Sequence, residues 1–223
     1  MSLKDYLPFW NKLQPRQQSE LMHAAIYRSA PKGTVLHNGE EDCVGLLLVT
    51  QGQLRAYTCA DAGREITLYR LMERDLCLFS ASCVLRGVDF DVAVLAETDV
   101  SFYQIPAPVY QALMQESAAV ANYTNEVMAV RFSDVMWLLD QILNKRLDSR
   151  LAAFLLEQSE LEQSAALPLT HEEIARQLGS AREVVTRMLR YFQEEGLVTL
   201  SRGVVMLNSR SQLEKTAKES LRR

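Results

Sequence analysis

The stretch from Leu169 to Val198, LTHEEIARQLGSAREVVTRMLRYFQEEGLV, constrains this chain more than any other, because it carries the start and stop signals of two successive helices. Thr170 with Glu173, and Ser180 with Glu183, have the spacing of capping boxes, in which two side chains satisfy the first free backbone N–H groups of a helix. Gly179 between them suits the left-handed backbone that ends a helix. The second helix is predicted over residues 181–195, with Gly196 as its stop. Val185, Met188, Leu189 and Phe192 fall on one face, and Arg182, Glu183, Thr186, Arg187 and Arg190 on the other. A short helix, a tight turn and a helix with a basic outer face describe a helix-turn-helix whose second helix enters the DNA major groove. A surface helix with a merely solvated charged face is the plainer alternative. Two caps at this spacing, and the hairpin that follows, favour DNA.

That hairpin is predicted from Val198–Ser201 and Val204–Leu207, joined through Arg202-Gly203. Arg202 at the tip is placed near a phosphate, where it would position the protein without reading sequence. A hairpin that only closes the small core is a compatible reading.

These residues resemble the Crp/Fnr family of bacterial transcription regulators. The resemblance is carried by RLAAFLL (150–156), by the stretch 169–198 and by SRGVVML (201–207), and runs back through LHNGEEDC (36–43) and GREITLYRL (63–71). It implies an α+β chain: an antiparallel jelly-roll sensor of the cyclic-nucleotide-binding type over 1–117, a dimerisation helix and hinge over 118–145, and a winged helix-turn-helix over 146–223. It further implies that Arg182, Glu183 and Arg187 read bases. Arginine can bond guanine O6 and N7 together, and glutamate can accept from cytosine N4. Thr170, Ser180, Thr186, Arg190 and Arg202 are expected as additional or backbone contacts.

Charge agrees with a local rather than a global DNA surface. The net formal charge is −4, with 12 basic and 17 acidic residues through Lys145 but 12 and 11 after it. The acidic excess belongs to the front half, so affinity for DNA must come from one basic face. No segment approaches the ~18 apolar residues of a membrane span. The first thirty residues mix Lys4, Asp5, Pro8, Pro15 and Arg16, unlike a signal peptide, and a cytoplasmic location is expected.

After a helical opening from Leu3 to about Tyr27, strands are predicted at 44–50, 53–59, 65–71, 91–97 and 99–105, separated by turns at Asn38-Gly39, Gln51-Gly52, Asp61-Ala62-Gly63 and Arg86-Gly87. Short strands with no helices between them suggest a double-sheet roll. The resemblance does not bring the ligand with it. Nucleotide-binding members carry a Gly-Glu pair for the ribose and an arginine for the cyclic phosphate. Here Leu78-Phe79 stands in the first position, and Asp89-Phe90-Asp91 where the arginine belongs. Two carboxylates repel a phosphate, so cyclic AMP is not expected. A more apolar pocket is expected instead, around Leu78, Phe79, Ser80, Ser82 and Phe90, together with Val135 and Met136, which match the family's two base-contacting positions late in the long helix.

The four cysteines, Cys43, Cys59, Cys77 and Cys83, lie in strand-like apolar contexts and are expected as buried free thiols. Cys77 and Cys83 remain an alternative as a redox pair. No cysteine precedes Cys43, which argues against the family's N-terminal iron–sulfur cluster. Haem is kept as an alternative, on His23 or a cysteine, whereas His37 and His171 are expected to be exposed.

From Ala118 to about Leu143 the chain lacks Gly and Pro and is predicted helical. One apolar stripe carries Val120, Tyr123, Val127, Val130 and Trp137; a neighbouring one carries Ala121, Met128, Val135, Leu138 and Ile142. A helix apolar over two stripes packs on two things: here, the chain's own sensor and a second copy. A single internal core helix is the competing reading. The expected partners are therefore palindromic double-stranded DNA, a second subunit, an unidentified small-molecule effector and, for an activator, RNA polymerase. The expectation is a homodimeric regulator, not an enzyme, because three scattered histidines make no catalytic or metal constellation. An unregulated DNA-binding dimer is the rival class.

Overall fold

The chain begins with two single-turn 3₁₀ segments, Leu3–Asp5 and Trp10–Lys12, and helix α1 (Pro15–Ala24), which starts with proline at its first turn. The computed structural model describes residues 2–39, 44–59, 65–84, 92–218 and 220, with the side chains of 82–84 and 144 left aside. The turns expected at Asp61-Ala62-Gly63 and Arg86-Gly87 lie outside the described residues. Eight strands are described: β1 (Ile26–Ala30), β2 (Val35–Asn38), β3 (Leu46–Gln51), β4 (Leu54–Cys59), β5 (Glu65–Leu71), β6 (Leu76–Cys77), β7 (Ala93–Ala96) and β8 (Val100–Ile105). The opening helix stops short of Tyr27 because Ile26 and Tyr27 pair with Gln104 and Tyr103 of β8.

The strands form two four-stranded sheets, ordered β1-β8-β3-β6 and β2-β7-β4-β5. One sheet turns Leu47, Val49, Cys77, Val100 and Phe102 inward; the other contributes Leu54, Ala56, Tyr69, Leu71, Val94 and Ala96 to the same core. The alternate residues of β3, Leu46 and Leu48, point to a second core. There they meet Leu3, Phe9 and Leu21 with Tyr110 and Leu113 of α2 (Ala107–Glu116). Strand β3 is thus buried on both faces, which is why Leu-Leu-Leu-Val reads as an unbroken apolar run. Each such leucine stabilises the fold by about 1.5–3 kcal/mol.

Helix α3 (Ala118–Asn144) runs for 27 residues. Its inward side differs from the predicted stripes. Val120 is buried, and Tyr123, Val127 and Met128 pack on the sensor cores. Further along, the buried positions are polar: Thr124, Arg131, Asp134 and Gln141. Val130, Val135 and Ile142 are exposed, and so are Phe132, Met136, Leu139 and Leu143, with Phe132 at 68% and Leu143 at 70%. Met128 therefore belongs to the inner side, while the outer apolar strip keeps Val135 and Ile142 of the second predicted stripe and adds Phe132, Met136, Leu139 and Leu143.

Beyond α3 come α4 (Leu147–Leu161), β9 (Ala166–Leu167), α5 (His171–Leu178), α6 (Arg182–Glu194), β10 (Val198–Ser201), β11 (Val204–Leu207) and α7 (Arg210–Ala217). Leu151, Phe154 and Leu155 of α4 pack with Ile174 and Leu178 of α5, Val185, Leu189 and Phe192 of α6, and Leu213 of α7. By packing, the chain forms two units: Met1–Cys59 with Thr67–Val135, and Ala60–Ile66 with Met136–Arg223. No helix among the described residues is long and apolar enough to cross a membrane.

Candidate nucleic-acid interface and sensor site

Thr170 caps α5 as the spacing predicts. Its Oγ1 accepts from the Glu173 N–H at 3.2 Å, and the Glu173 carboxylate accepts from the Thr170 N–H at 2.7 Å. Gly179 closes the helix at φ +61°, a left-handed conformation that side chains resist. The second capping box does not form. Ser180 donates its N–H to the Ala175 carbonyl at 2.9 Å, and Gly179 donates to Arg176 at 3.2 Å, so Ser180 is committed to ending α5. Ala181 takes the N-cap place of α6 with no side-chain cap. Arg150 of α4 fixes the turn further, donating from Nη2 to the Leu178 carbonyl at 2.6 Å.

The sides of α6 divide as expected. Val185, Leu189 and Phe192 are buried, whereas Arg182, Glu183, Arg187 and Arg190 are exposed and Thr186 is half-buried. Arg182 lies 3.8 Å from Glu172 of α5 across an exposed surface, a pairing worth little in water. Thr186 Oγ1 lies 3.0 Å from His171 Nδ1. His171 is thus a hydrogen-bonded member of this surface and not merely a solvated side chain. Burial first, then Arg182 and Arg190, hold its pKa below the ordinary histidine value.

Strands β10 and β11 pair from Val198↔Leu207 to Ser201↔Val204, as predicted, with Arg202 exposed at the tip and Gly203 at φ +73°. A third strand, β9, joins β11 through Leu167 and Ala166. Two residues are too short for a sequence signal.

In the sensor unit, Leu78, Phe79 and Ser80 are buried, Leu78 in the helical-side core and Phe79 between the sheets. Ser80 Oγ donates to the Cys77 carbonyl at 3.1 Å. Val135 and Met136, predicted beside them, are exposed at 37% and 45%, and they fall in different units. Phe90, Asp89, Asp91, Cys43 and the side chains of Ser82 and Cys83 lie outside the described residues. Cys77 is buried, and burial pushes its thiol up. Cys59 departs from expectation: it is exposed, at the last residue of β4 where the alternation turns outward. His37 departs too. It is 4% exposed, because β2 turns it inward opposite Val94 of β7. His23 is exposed, its Nδ1 2.7 Å from the Ser19 carbonyl oxygen.

The surroundings of Phe79 are not simply apolar. Tyr69 of β5 lies 6.2 Å from the Phe79 ring, and Arg131 of α3 stacks over Tyr69 with Cζ 4.7 Å from the ring centroid. Arg131 pairs with Asp134 at 3.1 Å and with Asp75 at 3.0 Å. Burial works against its charge, but Asp75, Tyr69 and Asp134 outweigh this and keep it protonated. Sequence reasoning missed this group because charged residues on a long helix read as solvated. The available signal was an arginine between Val130 and Phe132, three residues before an aspartate.

A jelly-roll sensor, a long helix and a winged helix-turn-helix with its basic helix face exposed together define a DNA-binding transcription regulator of the two-domain sensor type. Residues 149–216 match the Crp-like helix-turn-helix domain, and residues 27–117 match the cyclic nucleotide-binding domain. A solved Crp/Fnr-family transcriptional regulator from Eubacterium rectale is 53% identical, covers 96% of this chain and 99% of its own, and superposes with a TM-score of 0.94. A second solved regulator of the family, from Thermus thermophilus, is 25% identical over 86% of this chain and 98% of its own, with a TM-score of 0.68. The cyclic AMP receptor protein of Thermus thermophilus is 25% identical over 94% of this chain and 96% of that protein. The chain belongs to the Crp/Fnr family.

Proposed function

We propose that this protein is a homodimer that binds palindromic DNA through α6 and is controlled by a small molecule or redox signal sensed in its jelly roll. The observation that carries the DNA reading is the division of α6, with Arg182, Glu183 and Arg187 exposed opposite buried Val185, Leu189 and Phe192. Arg182, Glu183 and Arg187 read base edges. Thr170, Ser180, Thr186, Arg190 and Arg202 hold the helix and wing against the backbone. The outer apolar strip of α3 supports dimerisation, since Phe132, Met136, Leu139 and Leu143 are exposed at three- and four-residue spacing along one side. Residues 118–145 then act as dimerisation helix and hinge between the sensor (1–117) and the DNA-binding domain (146–223). A two-fold dimer presents two recognition helices to half-sites one helical turn apart.

The effector differs from a cyclic nucleotide. Leu78 and Phe79 are buried, and their side chains carry no hydrogen-bonding group for a ribose. A haem or thiol sensor is the alternative within the family. Cytoplasmic action on DNA, and on RNA polymerase in the case of an activator, completes the reading, with no catalytic role.

Selection of bound sequences from a random duplex pool tests this. A two-fold symmetric motif with half-sites about 10 base pairs apart is expected. A single asymmetric half-site, or no enriched motif, would remove the dimeric reading.

A further inference from the structure

Resting on the sensor reading, we propose that the group around Tyr69 and Arg131 binds a small uncharged ligand presenting a hydrogen-bond acceptor, such as a ketone, amide or lactone oxygen, on an apolar body. Each residue is only 7% exposed. Yet the Tyr69 hydroxyl and Arg131 Nε are buried with no hydrogen-bond partner among the described residues. An unpaired buried donor carries the full cost of its lost hydration, and most buried polar groups avoid it. Two such donors on stacked side chains are therefore informative. The stacking, with Cζ 4.7 Å from the ring centroid, places the two donors on adjacent side chains.

The chemistry of the donors selects the ligand. Arginine Nε only donates. Burial pushes the Tyr69 hydroxyl well above its ordinary pKa, so it too is a neutral donor. The Arg131 Nε–H requires an acceptor, and the Tyr69 hydroxyl can donate to the same ligand. Charge decides which kind. Arg131 is already flanked by Asp134 and Asp75, so the three groups sum to one negative charge. A further anion would face two carboxylates sharing a single guanidinium. A cation at this spot would sit against the guanidinium itself, whose Nε–H can only donate. An uncharged acceptor meets neither obstacle. The surroundings suit an apolar body: Phe79, Cys77, Leu68 and Met128 belong to the cluster that contains Tyr69.

The test uses the full-length protein and three probes of one skeleton: acetophenone as neutral acceptor, benzoate as anion, and ethylbenzene with no acceptor. Binding is followed by saturation-transfer NMR and calorimetry. Acetophenone is expected to bind with a Kd of about a millimolar or better, as its size allows, ahead of the other two. Tyr69→Phe should weaken it at least about five-fold, the effect of one hydrogen bond. The same variant should keep or raise the Tm of the ligand-free protein, because the deleted hydroxyl has no partner among the described residues. Benzoate binding ahead of acetophenone, equal binding of ethylbenzene, or no binding by any probe overturns the proposal. So does a lowered Tm in Tyr69→Phe with acetophenone binding unchanged, which would assign the hydroxyl to the fold or to a buried water. Duplex affinity measured with and without acetophenone separates the two readings: binding at Tyr69 that leaves DNA affinity unchanged keeps the site and removes its role as sensor.

Discussion

His171 Nδ1 lies 3.0 Å from Thr186 Oγ1, tying the first residue of α5 to the middle of α6. This bond links the two helices of the proposed DNA-facing surface. His171 also gives that surface a titrating group. Burial, Arg182 and Arg190 lower the folded-state pKa of His171 below its ordinary value near 6.5. The unfolded chain therefore takes up a proton first as pH falls. The stabilising contribution is present above the unfolded pKa and is lost as pH falls through the folded one. We expect the Tm of the parent protein to fall more between about pH 7 and pH 5.5 than that of His171→Gln. Superimposable pH profiles for the two would show that burial and the two arginines do not depress the His171 pKa.

On DNA, Arg187→Ala and Glu183→Ala are expected to relax base preference and cost roughly 1–3 kcal/mol each at the selected site. Arg202→Ala, at the exposed wing tip, should weaken selected and random duplexes alike and reduce the salt slope by about one. Anisotropy titrations on both duplexes at several salt concentrations separate the two behaviours. Uniform weakening by Arg187→Ala would confine that residue to the backbone.

Dimerisation is tested at Phe132. Val127, which lies in one of the stripes read from sequence, packs on the sensor core and would confuse folding with assembly. Phe132 is 68% exposed, so Phe132→Glu leaves the single chain's packing largely untouched. In a symmetric interface it buries two carboxylates facing each other, a cost of several kcal/mol. Sedimentation should show monomers with an unchanged Tm at low protein concentration. Persistent dimers would place the interface elsewhere.

Cyclic AMP and cyclic GMP are expected to give no heat of binding at micromolar concentrations, since the side chains of Leu78 and Phe79 offer a ribose no hydrogen bond. A micromolar Kd for either nucleotide by calorimetry would reverse the reading of the sensor.

Much of the DNA-binding half was legible before any tertiary structure. The cap at Thr170, the left-handed Gly179, the α6 faces and the β10–β11 hairpin all formed where the residues predict. The failure at Ser180 is informative. A serine three residues before a glutamate satisfies the capping pattern, but the glycine before it draws its N–H into the end of α5. Strands β3, β4, β5, β7 and β8 were legible from their apolar runs. Strands β1 and β2 were not read, and neither was β6, whose two residues pair with Leu47 and Leu48 on β3.

By itself, the sequence determined what depends on neighbours a few residues apart: helix starts and stops, the turn, the wing, and the two-sided apolar run of β3. These are local hydrogen bonds and periodicities, and they survive with little help from the rest of the chain. Tertiary structure alone decided which side of α3 faces inward and which charges lose their water. Arg131 meets Asp75 at a separation of 56 residues, and no periodicity along either segment announces the pairing. A charge on a helix is solvated unless the fold brings another element over it. Only the packing of β5, the turn before β6 and α3 turned Arg131 and Tyr69 from surface residues into buried ones, with Asp75 at the edge of the group.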